Sequence, residues 1–317
     1  MRALLVQARS PLTYWSYEFA LGYAGKSAAL PPLGLATLAA LLPSRWEVRL
    51  VDLNVEPLAD ADLDWADAVL VSGMLVHSES MRTVLRRARA AGKRTVVGGP
   101  APTTSAGLFP EADHLFRGEA EGRLDRLVEA LERPGAPAPR VLSPPPGGAR
   151  PDLGTAPVPR FELIRLDRYA SQSVQLSRGC PFQCEFCDII EVFGRVPRLK
   201  RADQILAELE TLWRLGARGA LFFVDDNFIG NRRAVKALLP HLAAWQEAHD
   251  FPFDLYTEAS LDLAGEPALL QAMIQAGFTA VFVGIETPSA EALVEAGKRQ
   301  NLRLDPAEAV RTLTRAG

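Results

Sequence analysis

Outside one short stretch this sequence has no cysteine: of 317 residues, only Cys180, Cys184 and Cys187 carry a thiol. Three is odd and all three fall within one local stretch, so a disulfide framework is excluded as the basis of the fold. Histidine is nearly as scarce. The four present, at 77, 114, 241 and 249, show no pattern tied to the cysteines, so a zinc site, which closes with four Cys or His ligands, has no visible fourth member. No apolar run reaches the ~18 residues of a membrane span. The opening "MRALLVQARSPL" has too short an apolar stretch for a signal peptide, so a cytoplasmic location is expected. Long basic blocks are missing too: 35 Lys and Arg face 38 Asp and Glu in mixed-sign segments, for a net charge of −3. A chain without a basic track is not built to follow a phosphate backbone, and nucleic acid is not an expected partner.

What is present is ordinary material for a folded protein, with 48% hydrophobic and 8% aromatic residues in a chain long enough for two domains. Short β-rich runs alternate with helical patterns from the start: "ALLVQ", "LGLATLAALL", "VRLVDL", "ADAVLVSG", "SESMRTVLRRARAAG", "RTVVGG", "ADHLFRGE", "GRLDRLVEALE". Five strands with helical crossovers make a doubly wound parallel sheet over residues 1–133. The proline- and glycine-rich residues 134–160 have no periodicity and are expected to be a linker. From 161 to 317 the alternation resumes as about four β/α units, "SVQLSRG", "ALFFVDD", "FDLYTEAS" and "TAVFVGIE" supplying the strands, with acidic or polar residues at strand ends. That is the pattern of a partial (β/α) barrel of the TIM type, whose chemistry sits at the carboxyl ends of its strands. The final "DPAEAVRTLTRAG" is helical and arrives where a fifth strand is due, so a barrel cut short is expected.

The cysteines carry the sharpest signal. Three thiolates suit a 4Fe-4S cluster with one iron left open for a ligand, although a zinc site with a distant fourth ligand and three unmetallated thiols remain the alternatives. The spacing CxxxCxxC in "SRGCPFQCEFCDII", with Phe186 before the last cysteine, at the opening of a β/α barrel, resembles the radical S-adenosylmethionine (SAM) superfamily. That resemblance implies that Cys180, Cys184 and Cys187 ligate the cluster and that SAM occupies the open iron. It places Phe186, Asp225, Asp226 and Asn227 in "FFVDDNF", Glu258 in "YTEAS" and Glu286 in "VFVGIET" as candidate SAM contacts. This chain has acids where the superfamily commonly has Gly-Gly-Glu, so the roles of Asp225 and Asp226 are carried over by position. The basic run "FGRVPRLKR", with Arg195, Arg198, Lys200 and Arg201, is expected to be a solvated loop.

A flavodoxin-like domain, a proline-rich strap and a radical SAM barrel together resemble the cobalamin-binding radical SAM family. "PPLGLATLAALL", "VVGGP", "FRGEAEG", "TEASLDLA" and "GKRQN" look particularly like its subgroup that includes hopanoid methylases. The resemblance implies cobalamin on the first domain, face-on to the barrel mouth, lined by Ser72, Gly73, Met74, Gly98, Gly99, Pro100, Gly118 and Glu119. The same glycines could simply make tight strand-to-helix turns. The Asp-x-His-x-x-Gly motif of a histidine lower ligand is missing, since His77 stands in "LVHSES", so no protein histidine is expected on cobalt. The implied activity is methylation of an unactivated carbon in a small-molecule or lipid substrate, with a reducing partner such as flavodoxin or ferredoxin. Cyclisation or rearrangement without methyl transfer, and a noncatalytic cluster- or corrinoid-binding protein, are the alternatives. A methylthiotransferase is discounted, because the first domain has no second cysteine cluster. "GYAGKS" is no phosphate-binding loop, since Ala20 replaces its first glycine and no strand leads into it. The aromatic stretch 12–23 could roof a hydrophobic cofactor or substrate, and ordinary interdomain packing is the preferred expectation.

Overall fold

A computed structural model describes the chain at all residues except 134–138 and 144–148, with the side chain of residue 15 also undescribed. The chain divides into two compact units, Met1–Pro151 with Ala156–Ala170, and Asp152–Thr155 with Ser171–Gly317. In the first unit β1 (Arg2–Gln7), β2 (Glu47–Asp52), β3 (Ala68–Ser72), β4 (Arg94–Gly98), β5 (His114–Phe116) and β6 (Val141–Leu142) form one sheet, ordered β2-β1-β3-β4-β5-β6. Every pairing is parallel. The order reverses between β1 and β3, the switch point at which open α/β sheets bind ligands.

The apolar strands split cleanly by alternation. Leu4, Val6, Val69, Val71 and Val97 face one core with Met81, Val84, Leu85 and Ala88 of the helix Ser78–Ala90. Ala3, Leu5, Ala68, Leu70 and Val96 face the other, with Leu35 and Ala39 of Leu33–Leu41 and with Leu127 and Leu131 of Asp125–Glu132. A strand covered on both sides can have apolar residues at every position, which is why these runs show no polar face. Each fully buried Leu, Val or Met side chain contributes about 1.5–3 kcal/mol of transfer free energy.

The expected boundaries at 133 and 160 need correction. Within the proline-rich stretch, β6 hydrogen-bonds to β5 and buries Leu142, extending the sheet from five strands to six. Residues 156–170 also fold with the first unit, where the Tyr169 hydroxyl donates to Asp52 Oδ2 at 2.8 Å. The rest of the expected linker includes the residues outside those described.

The second unit contains β7 (Gln172–Val174), β8 (Ser177–Arg178), β9 (Arg198–Leu199), β10 (Gly219–Phe223), β11 (Phe253–Ala259) and β12 (Phe278–Val283). Four of them form a parallel sheet, ordered β12-β11-β10-β7, with helices Ala202–Arg214, Arg232–Ala248 and Pro267–Gln275 as crossovers. This is the partial barrel. In β11 the side chains of Phe253, Leu255, Thr257 and Ala259 are buried while Asp254 and Glu258 are exposed. On the more open face Phe222 stacks on Tyr256, their ring centroids 4.7 Å apart. The antiparallel ribbon β8–β9 stands outside this sheet and holds the two ends of the cysteine loop.

Lys200, expected in a solvated loop, is instead buried and ion-paired with the buried Glu208. Burial favours the neutral acid at Glu208 while the adjacent ammonium opposes it, so the two charges are worth keeping only together.

Candidate active site

The cysteine loop is shaped by backbone before any metal is considered. Gly179 has φ +101°, and a Cβ there would stand 2.8 Å from the Gly194 carbonyl oxygen, so only glycine fits. The Cys180 N–H donates to that same carbonyl at 3.2 Å, and the Cys187 N–H to the Cys184 carbonyl at 3.1 Å. All three cysteines are free thiols and half-buried.

Each sulfur also receives a hydrogen-bond donor. The Phe182 N–H and the Asn227 amide point at Cys180, the Ile189 N–H at Cys187, and Gln300 Nε2 donates to Cys184 Sγ at 3.5 Å. Burial pushes the Cys180 and Cys187 thiols up, and the neighbouring thiol and Asp226 add to it. Among the described residues, no three His, Cys, Asp or Glu side chains are gathered tightly enough for a single metal ion. A cubane cluster needs its three thiolates spread around it, and N–H donors to the sulfurs are what such a ligand set uses to hold its charge, so these residues fit a 4Fe-4S group.

The strand-end acids divide into different roles. Asp226 Oδ2 accepts from the Gly179 N–H at 2.8 Å, which fixes the residue just before the first cysteine. Asn227, buried, accepts from the Ser260 N–H at 3.2 Å and also reaches Cys180. Asp225 departs from its expected contact with SAM. It is fully buried and its two oxygens accept from the N–H groups of Leu176 (3.0 Å) and Ser177 (2.5 Å) and from the Ser177 hydroxyl, so it braces the segment between β7 and β8. Glu258 is exposed as a residue at the open face of β11, but its carboxyl is partly desolvated, and that desolvation together with the charge of Asp226 raises it above the usual range. Glu286 is held at φ +64°, a costly conformation for a side chain of its size, and pairs with Lys298. Phe186 is exposed, with the Lys298 ammonium 5.7 Å from its ring centre. A cleft of about 430 Å³ beside the loop is lined by Pro181, Phe182, Asn231, Ser260, Asp262 and Arg303, among others. Sequence reasoning gave Lys298 and Gln300 no role, although "GKRQN" carried them.

In the first unit the residues expected at cobalamin lie at the ends of three adjacent strands: Ser72, Gly73 and Met74 at and after the end of β3, Gly98, Gly99 and Pro100 at and after the end of β4, Gly118 and Glu119 after β5. Two of the glycines answer to their own neighbours. A Cβ on Gly73 would lie 2.9 Å from Met81 Sδ, and one on Gly99, at φ +91°, would lie 2.6 Å from Ser72 Oγ. Gly98 is different, because its nearest contact would be 3.8 Å away. The Gly118 N–H donates to Thr103 Oγ1 at 3.0 Å, and the buried Glu119 carboxylate lies 3.8 Å from Arg150.

Next to these strand ends, a cavity of about 350 Å³ opens at the β1–β3 switch point, lined by Gln7, Ser10, Asp52, Asn54, Met74 and His77 among others. Polar and apolar groups converge there as at a ligand site, and of the eight residues expected at cobalamin Met74 is the one that lines it. Asp52 and Asn54 were missed because a strand-ending "VDLN" carries no motif. His77 is buried; its Nδ1 accepts from the Met74 N–H at 3.0 Å and its Nε2 faces Ser10 Oγ at 3.1 Å. Burial holds its pKa below the ordinary histidine value. Both ring nitrogens are engaged within the fold, in keeping with the missing lower-ligand motif.

Comparison with known proteins bears on both units. The B12 binding domain family matches residues 27–128, and the Radical SAM superfamily matches residues 174–317. An uncharacterized methyltransferase of Synechocystis sp. is 48% identical over the whole chain, which spans 59% of that protein. The hopanoid C-2 methylase of Rhodopseudomonas palustris is 41% identical over 92% of the chain and 55% of its own length. The chain thus spans somewhat more than half the length of these two curated relatives. The cobalamin-dependent SAM radical enzyme OxsB superposes with a TM-score of 0.73 at 19% identity, covering 99% of this chain and 47% of that one. The radical SAM methyltransferase TsrM of Kitasatospora setae gives 0.72 at 19% identity, covering 99% and 65%. These two show the fold. With a B12-binding domain followed by a radical SAM domain, and a relative nearly half identical along all 317 residues, the chain belongs to the cobalamin-binding radical SAM family.

Proposed function

We propose that the protein is a cobalamin-dependent radical SAM enzyme that methylates an unactivated carbon of a small-molecule or lipid substrate. The observation that carries this reading is the cysteine loop, in which three free thiols from one CxxxCxxC stretch each face an N–H donor, next to the carboxyl ends of a parallel sheet. A 4Fe-4S cluster held there would supply an open iron for SAM and the electron for its reductive cleavage, and methylcobalamin would supply the methyl group.

The chain's own residues do the holding. Cys180, Cys184 and Cys187 bind the cluster, and Asp226 and Asn227 fix the loop around Cys180. Glu258 and Glu286, at the ends of β11 and β12, offer carboxylates to the amino and hydroxyl groups of SAM, and Phe186 offers an exposed ring. Gly98, where a Cβ would meet Phe116 at an ordinary van der Waals distance of 3.8 Å, and Met74, Pro100 and Glu119 at or just past the strand ends, present that edge of the first sheet to the corrinoid. A lipid substrate of the hopanoid kind is supported by the 41% identity with a hopanoid C-2 methylase. The reading places the protein in a cytoplasmic setting with a flavodoxin or ferredoxin as reductant.

Anaerobic reconstitution with iron, sulfide, hydroxocobalamin, SAM and a reductant tests the proposal. The expected result is 5′-deoxyadenosine release together with a corrinoid absorption spectrum that stays with the protein through gel filtration. A chain that takes up iron and sulfide but never cleaves SAM is a cluster carrier, and the proposal fails.

A further inference from the structure

The sulfur of Cys184 has a polar neighbour that comes from more than a hundred residues along the chain. Residues 296–301 follow the helix Ala290–Glu295 and lie against the cysteine loop. The Glu185 N–H donates to the Ala296 carbonyl at 2.9 Å. Gly297 has φ +69°, and a Cβ there would stand 2.5 Å from the Gln183 carbonyl oxygen, so the two backbones approach as closely as a glycine allows. Lys298 reaches over the Phe186 ring while paired with Glu286. The Asn301 amide donates to the carbonyls of Gly284 and Ile285, at 2.9 and 3.2 Å, and ties the segment to the end of β12. Gln300 sits in the middle of this brace, only 6% exposed, and aims its Nε2–H at Cys184 Sγ from 3.5 Å. A neutral thiol is a weak acceptor, whereas a thiolate is a strong one. A buried amide with such a neighbour suits a sulfur that carries charge.

We propose that Gln300 is a positioning residue for the cluster: it donates to the Cys184 thiolate, and through that hydrogen bond it raises the cluster's reduction potential. The inference rests on the reading of the three cysteines as cluster ligands. Its physics is a difference between two states. The reduced cluster carries one more negative charge than the oxidised one, so an N–H aimed at a ligand sulfur stabilises the reduced form more. Residues 296–301 keep the donor at that distance by holding the loop at Gln183, Glu185 and Phe186.

The test is an EPR-monitored redox titration of the anaerobically reconstituted full chain without SAM, comparing wild type with Gln300→Leu and Gln300→Met. Both variants remove the donor, and Met keeps the length of the side chain, so it reports if Leu cannot hold a cluster. The expected result is wild-type iron and sulfide content with one-electron reduction about tenfold less favourable, a midpoint ~60 mV more negative at 59 mV per decade. A wild-type midpoint in whichever variant retains the cluster overturns the inference. So does a loss of iron with no shift in the clusters that remain, which marks a role in packing alone. Failure of the wild-type chain to assemble any iron-sulfur chromophore sinks the reading of the cysteines itself, an outcome distinct from an unshifted potential.

Discussion

Cys184→Ala is expected to eliminate the iron-sulfur chromophore after reconstitution and to reduce 5′-deoxyadenosine formation by more than ~100-fold. Changes to groups that merely support metal ligands cost about 10–100-fold, and loss of a ligand from a three-ligand set exceeds that. The fold should survive. Cys184 is half-buried in a loop and belongs to neither the sheet nor a helix, so truncation to alanine should move unfolding stability by no more than ~1 kcal/mol. Iron and sulfide analysis, product chromatography and a thermal melt by circular dichroism separate the two effects. An unchanged chromophore with full SAM cleavage would remove Cys184 from the ligand set.

Asp225→Ala should have the opposite signature, a large loss of stability. The carboxylate is buried and accepts from two backbone N–H groups and one hydroxyl, and its removal strands those donors away from water. An orphaned buried donor costs about 1–3 kcal/mol, and since the hydroxyl can turn to another acceptor the two N–H groups set the loss at ~2–6 kcal/mol in urea unfolding. The cysteine loop begins two residues beyond Ser177, so cluster retention should fall with stability.

Asp225 also gives a pH dependence with a definite sign. Burial raises its carboxyl to about 7 from an ordinary 3.8. The folded state therefore keeps the proton over a range in which the unfolded chain has released it, and stability from this group is greatest below about pH 4 and declines as pH rises to about 7. Asp225→Asn cannot ionise. In paired urea titrations at pH 5 and pH 8, wild type should lose stability relative to the Asn variant at the higher pH. A constant gap between the two proteins would mean that Asp225 stays ionised throughout.

These residues also show which parts of the molecule were legible in the chain. The cysteine loop was, because CxxxCxxC is local and its spacing survives in one line of sequence. The alternation of strands and helices was legible for the same reason: Leu4 and Val6 against Ala3 and Leu5 is a pattern of neighbours. What escaped depends on tertiary direction. "VDDN" located three polar residues at a strand end without revealing that Asp225 turns back to hold Leu176 and Ser177 while Asp226 holds Gly179. Lys200 reads as solvated in the sequence because lysine usually is, and its buried partner Glu208 becomes apparent only once the following helix folds over it. The two residues of β6 are too few for any periodicity, so the proline-rich stretch hid a strand that the β5 edge pairs with. Gln300 lay furthest from view, since no local pattern links it to a sulfur 116 positions earlier.

If the three cysteines hold a 4Fe-4S cluster whose fourth iron is open to SAM, the EPR spectrum of the reduced, reconstituted protein must respond when SAM is added. The expected result is a reduced-cluster signal whose g-values and linewidth change on SAM binding, and which disappears in Cys184→Ala. A signal indifferent to saturating SAM would contradict the claim.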